Sequence, residues 1–223
     1  MSDNPPLVIE LFGQPGAGKS TLVRATAPGS DLQTTAQLGA AWRRQAGFDK
    51  GMMAGRALLD GPCLSHAITL ARRARLFRTD SLSRLLRLLI KSHWVRSQTG
   101  TLLLEEGHLQ ELWSIFYSAG RTEPEPHQLA PLIACLYRGL DAHIIFLDVD
   151  ADLAFDRIRG RTHGKSRFDR LAEPDLRRRL AATAQLPHRI VGAAKLAGLG
   201  VSAIDAAMPI EAMVARLLDL HRL

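Results

Sequence analysis

Apolar and polar positions follow one another along this chain with two different periods, and each switch of period marks a new element. Residues Leu7–Phe12, LVIELF, are apolar at nearly every position, the pattern of a central parallel strand covered on both faces. A helix-favouring run follows over Lys19–Thr26 and should stop before Pro28-Gly29. Residues 31–35 carry a weak strand signal. Residues 36–97 read as helical, with breaks at Gly47, Gly51 and Gly61-Pro62, and here Leu82, Leu85, Leu86, Leu89 and Ile90 recur at helical spacing. Thr101–Leu104 is a short apolar strand, His108–Ser118 an amphipathic helix carrying Trp113, Phe116 and Tyr117, and residues 119–128 a surface loop rich in turn formers. Helix returns over 129–140. Residues 143–149, HIIFLDV, form the clearest later strand. A helix from residue 150, a basic loop over 160–170, a helix over 176–195, a strand over 198–204 ending at Asp205, and a closing helix over 210–220 complete the expectation.

Apolar strands alternating with helices imply an α/β fold, a three-layer α/β/α sandwich around a mostly parallel sheet of about five strands. At 223 residues the chain has room for one well-buried domain with a helical insertion, and is short for two. No apolar stretch approaches the roughly 20 residues that span a bilayer. The opening MSDNPP has neither the basic nor the apolar region of a secretion signal, so the cytoplasm is the expected compartment. Cys63 and Cys135, far apart in sequence, are expected as buried small hydrophobes in a reducing environment, without a disulfide.

Chemistry enters between the first strand and the first helix. Gly13, Gly18, Lys19 and Ser20 stand at G-x-x-x-x-G-K-[ST] spacing, the signature of a phosphate-binding loop and hence of a P-loop NTPase fold. Its glycines let backbone N–H groups turn onto a polyphosphate, while the following helix presents its positive end. Gly13, Gln14, Pro15, Gly16, Ala17, Gly18, Lys19, Ser20 and Thr21 are the candidate nucleotide contacts, Lys19 neutralising phosphate oxygens and Ser20 holding Mg²⁺.

Two further groups fall in step with that loop. Glu105 and Glu106 follow the strand Thr101–Leu104, where open α/β sheets keep their ligands, and serve a metal or an acceptor hydroxyl. Adjacent acids on an extended chain point in different directions, so one faces the metal and the other the acceptor, with Glu105 the candidate metal ligand beside Ser20. The basic loop carries Arg161, His163, Lys165, Arg167 and Arg170, with Arg157 four residues before Arg161 on the preceding helix. Cations this dense fit a lid, residues 157–170, that closes on transferring phosphates. Residues 36–97 are expected to wall the acceptor side, with Arg84, Arg87 and Gln110 as candidate acceptor-binding residues. A solvated basic helical face is the competing reading of that arginine-rich stretch. The net charge of +7 fits nucleic acid, an anionic surface or a small polyanion, and the absence of a nucleic-acid-binding module favours the last.

With these pieces placed, the chain resembles the P-loop kinases of nucleoside monophosphates, most closely the thymidylate kinase-like group. The 13–20 loop, the phrase LDVDADLAFDRIRGR with RFDR, and the ending VSAIDAAMPIEAMVARLL carry the likeness. It implies that Lys19 acts on the transferring phosphate, that Ser20 or Thr21 helps hold magnesium, that Arg157, Arg161 and Arg167 are lid arginines, and that Asp205 and Ala206 lie near the adenine. The group's aspartate-arginine-tyrosine strand end is replaced here by Glu105-Glu106-Gly107, and its arginine-glutamate-proline stretch has no counterpart. Both departures fall on acceptor recognition. An acid pair suits an acceptor hydroxyl, as in deoxynucleoside- and sugar-kinase-like enzymes, and the wording GQPGAGKS is weakly similar to the zeta-toxin group.

The leading expectation is an ATP- and Mg²⁺-dependent phosphotransferase acting on a nucleotide, nucleoside or sugar-like acceptor. An ATPase switch moving a protein or nucleic-acid partner is the alternative, and nucleotide binding without catalysis a third. A GTPase is disfavoured because guanine recognition of the asparagine-lysine-x-aspartate type needs an asparagine, and Asn4 is the sole one. Oligomeric state stays open, with a homodimer among the options.

Overall fold

The structure, a computed structural model, describes residues 5–26, 31–161 and 167–221. Its centre is β1 (Leu7–Phe12), followed by α1 (Lys19–Thr26), the two-residue β2 (Gln33–Thr34) and four helices: α2 (Thr35–Arg44), α3 (Gly47–Leu59), α4 (Gly61–Arg73) and α5 (Thr79–Arg96). Then come β3 (Thr101–Leu104), α6 (His108–Ser118), α7 (Pro126–Tyr137), β4 (Asp141–Asp148), α8 (Ala151–Arg159), α9 (Glu173–Thr183), α10 (Gln185–Leu196), β5 (Gly200–Asp205) and α11 (Ile210–His221).

Among the described residues the sheet has five strands in the order β2-β3-β1-β4-β5, and every pairing is parallel. Residue Leu7 of β1 lies beside Thr101 of β3 and Asp141 of β4. The chain therefore leaves β1 toward one edge and later crosses to the other. All strand C-termini gather at one rim, where a ligand site of an open parallel sheet belongs.

Alternation along the strands sorts the core into layers. Ile9, Leu11, Ile145 and Leu147 face α1 and α11 with Leu22 and Leu217. Phe12, Ile144 and Phe146 face the larger helical side with Trp113, Phe116, Leu132 and Leu136. Glu10, on that same side, breaks the apolar run and is fully buried.

Several boundaries differ from expectation for identifiable reasons. Gly51 lies inside α3 rather than ending a helix, since a glycine in a helix interior costs only about 1 kcal/mol. The region 64–96 is two helices, parted at residues 74–78. Pro126 occupies the first turn of α7, where a missing N–H costs nothing, so this helix starts three residues early. The expected helix over 176–195 divides at Ala184 into α9 and α10. The expected stop at Pro28-Gly29 lies outside the described residues. Cys63 on α4 and Cys135 on α7 are both buried and free, and they meet where the two helices pack, burial and the Cys135 contact pushing the Cys63 thiol up to about 12.

Candidate functional site

The rim of the sheet opens into a cavity of about 1430 Å³. Pro15, Gly16, Ala17, Gly18, Lys19, Ser20 and Thr21 form one wall of it. Gly16 and Gly18 take φ of 93° and 92°, left-handed values that other residues resist. A Cβ at Gly16 would also stand 2.6 Å from the Ala154 carbonyl, so this loop is wedged against α8. Gly13 does not border the cavity; it lets the loop pass close to β4, since a Cβ would come within 2.5 Å of the Leu147 carbonyl. Gln14 is buried and donates to the Leu180 carbonyl at 3.1 Å, tying the loop to α9.

Lys19 Nζ donates to the carbonyls of Gly13, at 2.7 Å, and Gln14, at 3.2 Å. Burial first, and then the Arg161 charge, bring its ammonium down to about 8, against the opposing pull of Glu105, Glu106 and Glu10. Ser20 and Thr21 are exposed on the cavity side.

Another wall of the cavity carries the two acids, in different surroundings. Glu105 is half-buried, its N–H donates to Thr35 Oγ1 at 2.9 Å, and its Oε2 is buried with no hydrogen-bond partner. Glu106 is exposed and its carbonyl accepts from Lys91 Nζ. Gln110 presents a second orphaned acceptor, Oε1, to the same cavity. Two buried acceptors without donors mark a place built for a ligand that brings protons or a cation.

What fixes this wall is Glu10, which the sequence reading passed over. Its carboxylate accepts from the N–H groups of His108, Leu109 and Gln110, at 2.9, 2.8 and 3.3 Å, and from the Tyr137 hydroxyl. Burial raises its pKa; Tyr137, the Lys91 charge and the backbone donors work the other way. An acceptor at a helix N-terminus satisfies donors that have no partner in the helix itself. Beside it His108 is wholly buried, and burial takes its ring down to about 3, so it is neutral throughout the physiological range. A lone charged residue inside the apolar run LVIELF is the one sequence signal that could have pointed here.

The arginines sort into three groups. Arg72, Arg73, Arg75 and Arg78 are exposed, as a solvated face requires. Arg96 is structural, donating to the Cys135 carbonyl at 2.7 Å and pairing with buried Asp60 at 3.5 Å. Arg84 and Arg87 border the cavity, Arg84 held by Asp80 at 2.9 Å and Ser114 Oγ at 3.0 Å.

The expected lid arginines all reach this cavity, by different routes. Arg157 leans over the loop, 3.7 Å from where a Gly18 Cβ would stand, and donates to the Ala206 carbonyl at 2.7 Å. Helix α8 ends at Arg159, so Arg161 is beyond it rather than on one helical face with Arg157; it pairs with Asp169 at 3.6 Å. Arg167 lies 4.3 Å over the Tyr117 ring and donates to Ser114 and Ser118 of α6. His163 and Lys165 lie outside the described residues.

Asp205 and Ala206 do not border the cavity. Asp205 accepts from Ala207 N–H at 2.8 Å, and Ala206 donates its N–H to the Asp148 carbonyl at 2.8 Å, shaping the turn after β5. That turn instead brings Met208, Ile210 and Met213 to the wall beside the 15–21 loop, an apolar surface suited to a planar base. Trp113, Ser114 and Phe168 line the cavity as well. Of these three lining residues only Phe168, in the phrase RFDR, falls in a stretch the sequence singled out for its chemistry; the others reach the cavity through folding alone.

The oxygen donors suit a hard cation. Mg²⁺ is held by one or two carboxylates together with substrate phosphates and water rather than by a dedicated cage. Ser20 Oγ and the orphaned Glu105 Oε2 match that requirement, and among the described residues no cluster of three or more His, Cys, Asp or Glu offers a competing site.

No protein-family model matches the chain, and no curated protein sequence matches it. Solved structures do. Deoxyadenosine kinase from M. mycoides with bound dATP aligns over 97% of this chain and 100% of its own, with a TM-score of 0.55 at 13% identity. The same enzyme with the products dCMP and a flexible dCDP aligns over 96% and 98%, with a TM-score of 0.51 at 14% identity. Likeness at this identity is likeness of fold: an α/β fold of the P-loop NTPase kind. Among the described residues no helix is long and apolar enough to cross a membrane.

Proposed function

We propose that this protein is a small-molecule kinase that transfers the γ-phosphoryl group of ATP to a hydroxyl of a nucleoside, nucleotide or sugar-like acceptor. The observation that carries the reading is that Glu105, one of whose carboxylate oxygens is buried without a hydrogen-bond partner, borders the same cavity as the loop that carries Lys19. Lys19, Arg157 and Arg161 spread the negative charge that develops on the phosphoryl oxygens. Glu105 accepts the hydroxyl proton as that oxygen bonds to the γ-phosphorus and the bond to the β-phosphate oxygen breaks, releasing ADP. Ser20 would hold Mg²⁺ together with substrate phosphates and water, and the ion would supply further charge neutralisation on the phosphates, leaving the Glu105 carboxylate free for the acceptor proton. Arg84, Arg87, Gln110 and Arg167 hold the acceptor, while Met208, Ile210 and Met213 take the base of ATP. The fold shared with a deoxyadenosine kinase supports a kinase over the other uses of this fold without fixing the acceptor.

The test is Mg·ATP-dependent transfer across nucleosides, nucleoside monophosphates, sugars and nucleotide sugars, read by mass spectrometry. One acceptor class gains a phosphoryl group. Glu105→Gln lowers its kcat by about a hundredfold or more, the worth of a positioned base, and Glu106→Gln leaves it within a few-fold. ATP hydrolysis that labels no acceptor and is stimulated by nucleic acid or protein replaces this reading with the ATPase switch.

The Lys19 ammonium gives the site a pH signature. With a folded pKa of about 8, below its ordinary 10.5, the lysine is charged beneath pH 8 and loses its proton above it. Between those values the unfolded chain holds more protons, so this group makes stability rise with pH across that window. ATP favours the charged form, so its affinity falls as pH rises through about 8, and binding near that pH takes up a proton. Titration calorimetry in two buffers of different ionisation heat measures the uptake. An affinity that is flat from pH 7 to 9.5 removes Lys19 from the phosphate site.

A further inference from the structure

A second cavity of about 330 Å³ lies between α2 and α5, on the far side of the acceptor wall. Leu38, Trp42, Ile90, Trp94 and Leu104 make it almost wholly apolar. Two polar residues, Arg87 and Glu111, border both this cavity and the large one. Thr35 stands at the same junction and accepts the Glu105 N–H, so the small cavity begins one residue from the proposed base.

Its walls are specific in shape and in polarity. The Trp42 and Trp94 rings meet edge to face at 5.3 Å, with the Lys50 ammonium 5.8 Å from the Trp42 centroid. Trp94 Nε1 is buried and has no hydrogen-bond partner, an indole donor left waiting for an acceptor. A space of this volume would hold about ten waters, yet walls that are mostly apolar order few of them. It falls at the small end of the range of ligand pockets, which are apolar with a few placed polar groups.

We infer that this cavity is a binding subsite for a rigid apolar group, aromatic or alicyclic, of about ten non-hydrogen atoms that carries one hydrogen-bond acceptor for Trp94 Nε1. The group is the apolar part of the phosphoryl acceptor, whose hydroxyl then reaches Glu105 past Arg87 and Glu111, the residues that border both cavities. This assignment of the acceptor rests on the kinase reading of the large cavity; the subsite itself does not. A linear chain fills such a space at a greater cost in rotamer freedom and makes poorer contact with the crossed indole rings.

The probe is 1-indanol, titrated into the nucleotide-free protein while the three indole N–H resonances are followed by NMR and assigned through Trp→Phe variants. Saturable shifts at Trp94 and Trp42, with Trp113 of the large cavity unmoved, are expected. Gly39 of α2 borders the small cavity, and a Cβ there meets nothing closer than the Arg43 guanidinium at 3.7 Å. Gly39→Leu therefore starts its side chain in open space at the cavity wall, occupies the cavity and raises the 1-indanol Kd at least tenfold. Trp94→Phe, read through Trp42, raises it about fivefold, the loss of one hydrogen bond. Absence of a saturable Trp94 shift, a Trp113 response that comes first, or equal binding of 1-hexanol overturns the subsite.

The kinase part is read separately. Lys19→Ala abolishes transfer and leaves 1-indanol binding unchanged. Among alcohols that the wild-type protein phosphorylates, those bearing the rigid apolar group have a KM at least tenfold lower than matched alcohols without it, and Gly39→Leu erases the difference. Equal KM values in the wild type, with Trp94 shifts intact, separate the subsite from the acceptor and overturn that assignment alone.

Discussion

Lys19→Ala lowers kcat/KM for phosphoryl transfer by about a thousandfold or more while leaving the fold intact. A preorganised cation aimed at developing phosphate charge stabilises the transition state, and removing one such group costs about 10²–10³ in rate. The larger figure is expected because Lys19 is, among the described residues, the sole lysine bordering the cavity, and Arg157 and Arg161 approach from α8 and the segment after it. Stability moves the other way. Burial disfavours the Lys19 charge, so its removal relieves a desolvated cation, at the loss of hydrogen bonds to the carbonyls of Gly13 and Gln14 that water can replace. The midpoint of thermal unfolding is therefore unchanged or slightly raised, the usual sign of a functional group held at some expense to the fold. A coupled assay together with thermal unfolding measures both. Transfer within tenfold of the wild-type rate takes the loop out of the chemistry.

Gly107→Ala has the largest expected effect on stability. The backbone at Gly107 is ordinary, with φ −82°, so the constraint is space rather than conformation. A Cβ there would lie 2.1 Å from both Cδ and Oε2 of Glu10. The carboxylate has nowhere to withdraw, because three N–H groups of α6 and the Tyr137 hydroxyl hold it from the other sides. Either α6 moves away from β1 or buried donors lose their acceptor. Overpacking and unsatisfied buried groups each cost about 1–3 kcal/mol, so about 3 kcal/mol is expected in all. For a chain of this size that lowers the unfolding midpoint by roughly 6–12 °C. Because Glu105 and Gln110 flank the disturbed turn, activity per folded molecule falls as well. A variant with wild-type stability would place the Glu10 carboxylate somewhere else.

Those two residues show where sequence reading works and where it stops. Lys19 was legible because its chemistry is local: glycines, lysine and serine at fixed spacing make a turn whose N–H groups face a phosphate wherever a strand precedes and a helix follows. In the sequence Gly107 stands out only as the residue that closes the strand end Glu105-Glu106-Gly107. Its real constraint is a carboxylate ninety-seven positions earlier, brought beneath it by the pairing of β1 with β3. Glu10 itself was hidden by the apolar residues around it. Gln14, Asp205 and Ala206 belong to the motif regions, yet they shape loops and turns behind the cavity wall. The role of a side chain depends on which face of the turn it leaves, and spacing does not record that.

What the sequence determined by itself is the alternation of strands and helices, the mostly parallel five-stranded sheet and the rim where the candidate site was expected. These follow from hydrophobic period, glycine and proline placement, and one motif, all properties of neighbouring residues. Only the tertiary structure decided which arginines enter the cavity and which face water, that Glu105 rather than Glu106 keeps an unpaired buried oxygen, and that Trp42 and Trp94 enclose a second apolar space. These depend on contacts between segments tens of residues apart, whose geometry is set by how helices pack on the sheet and leaves no periodic trace along the chain.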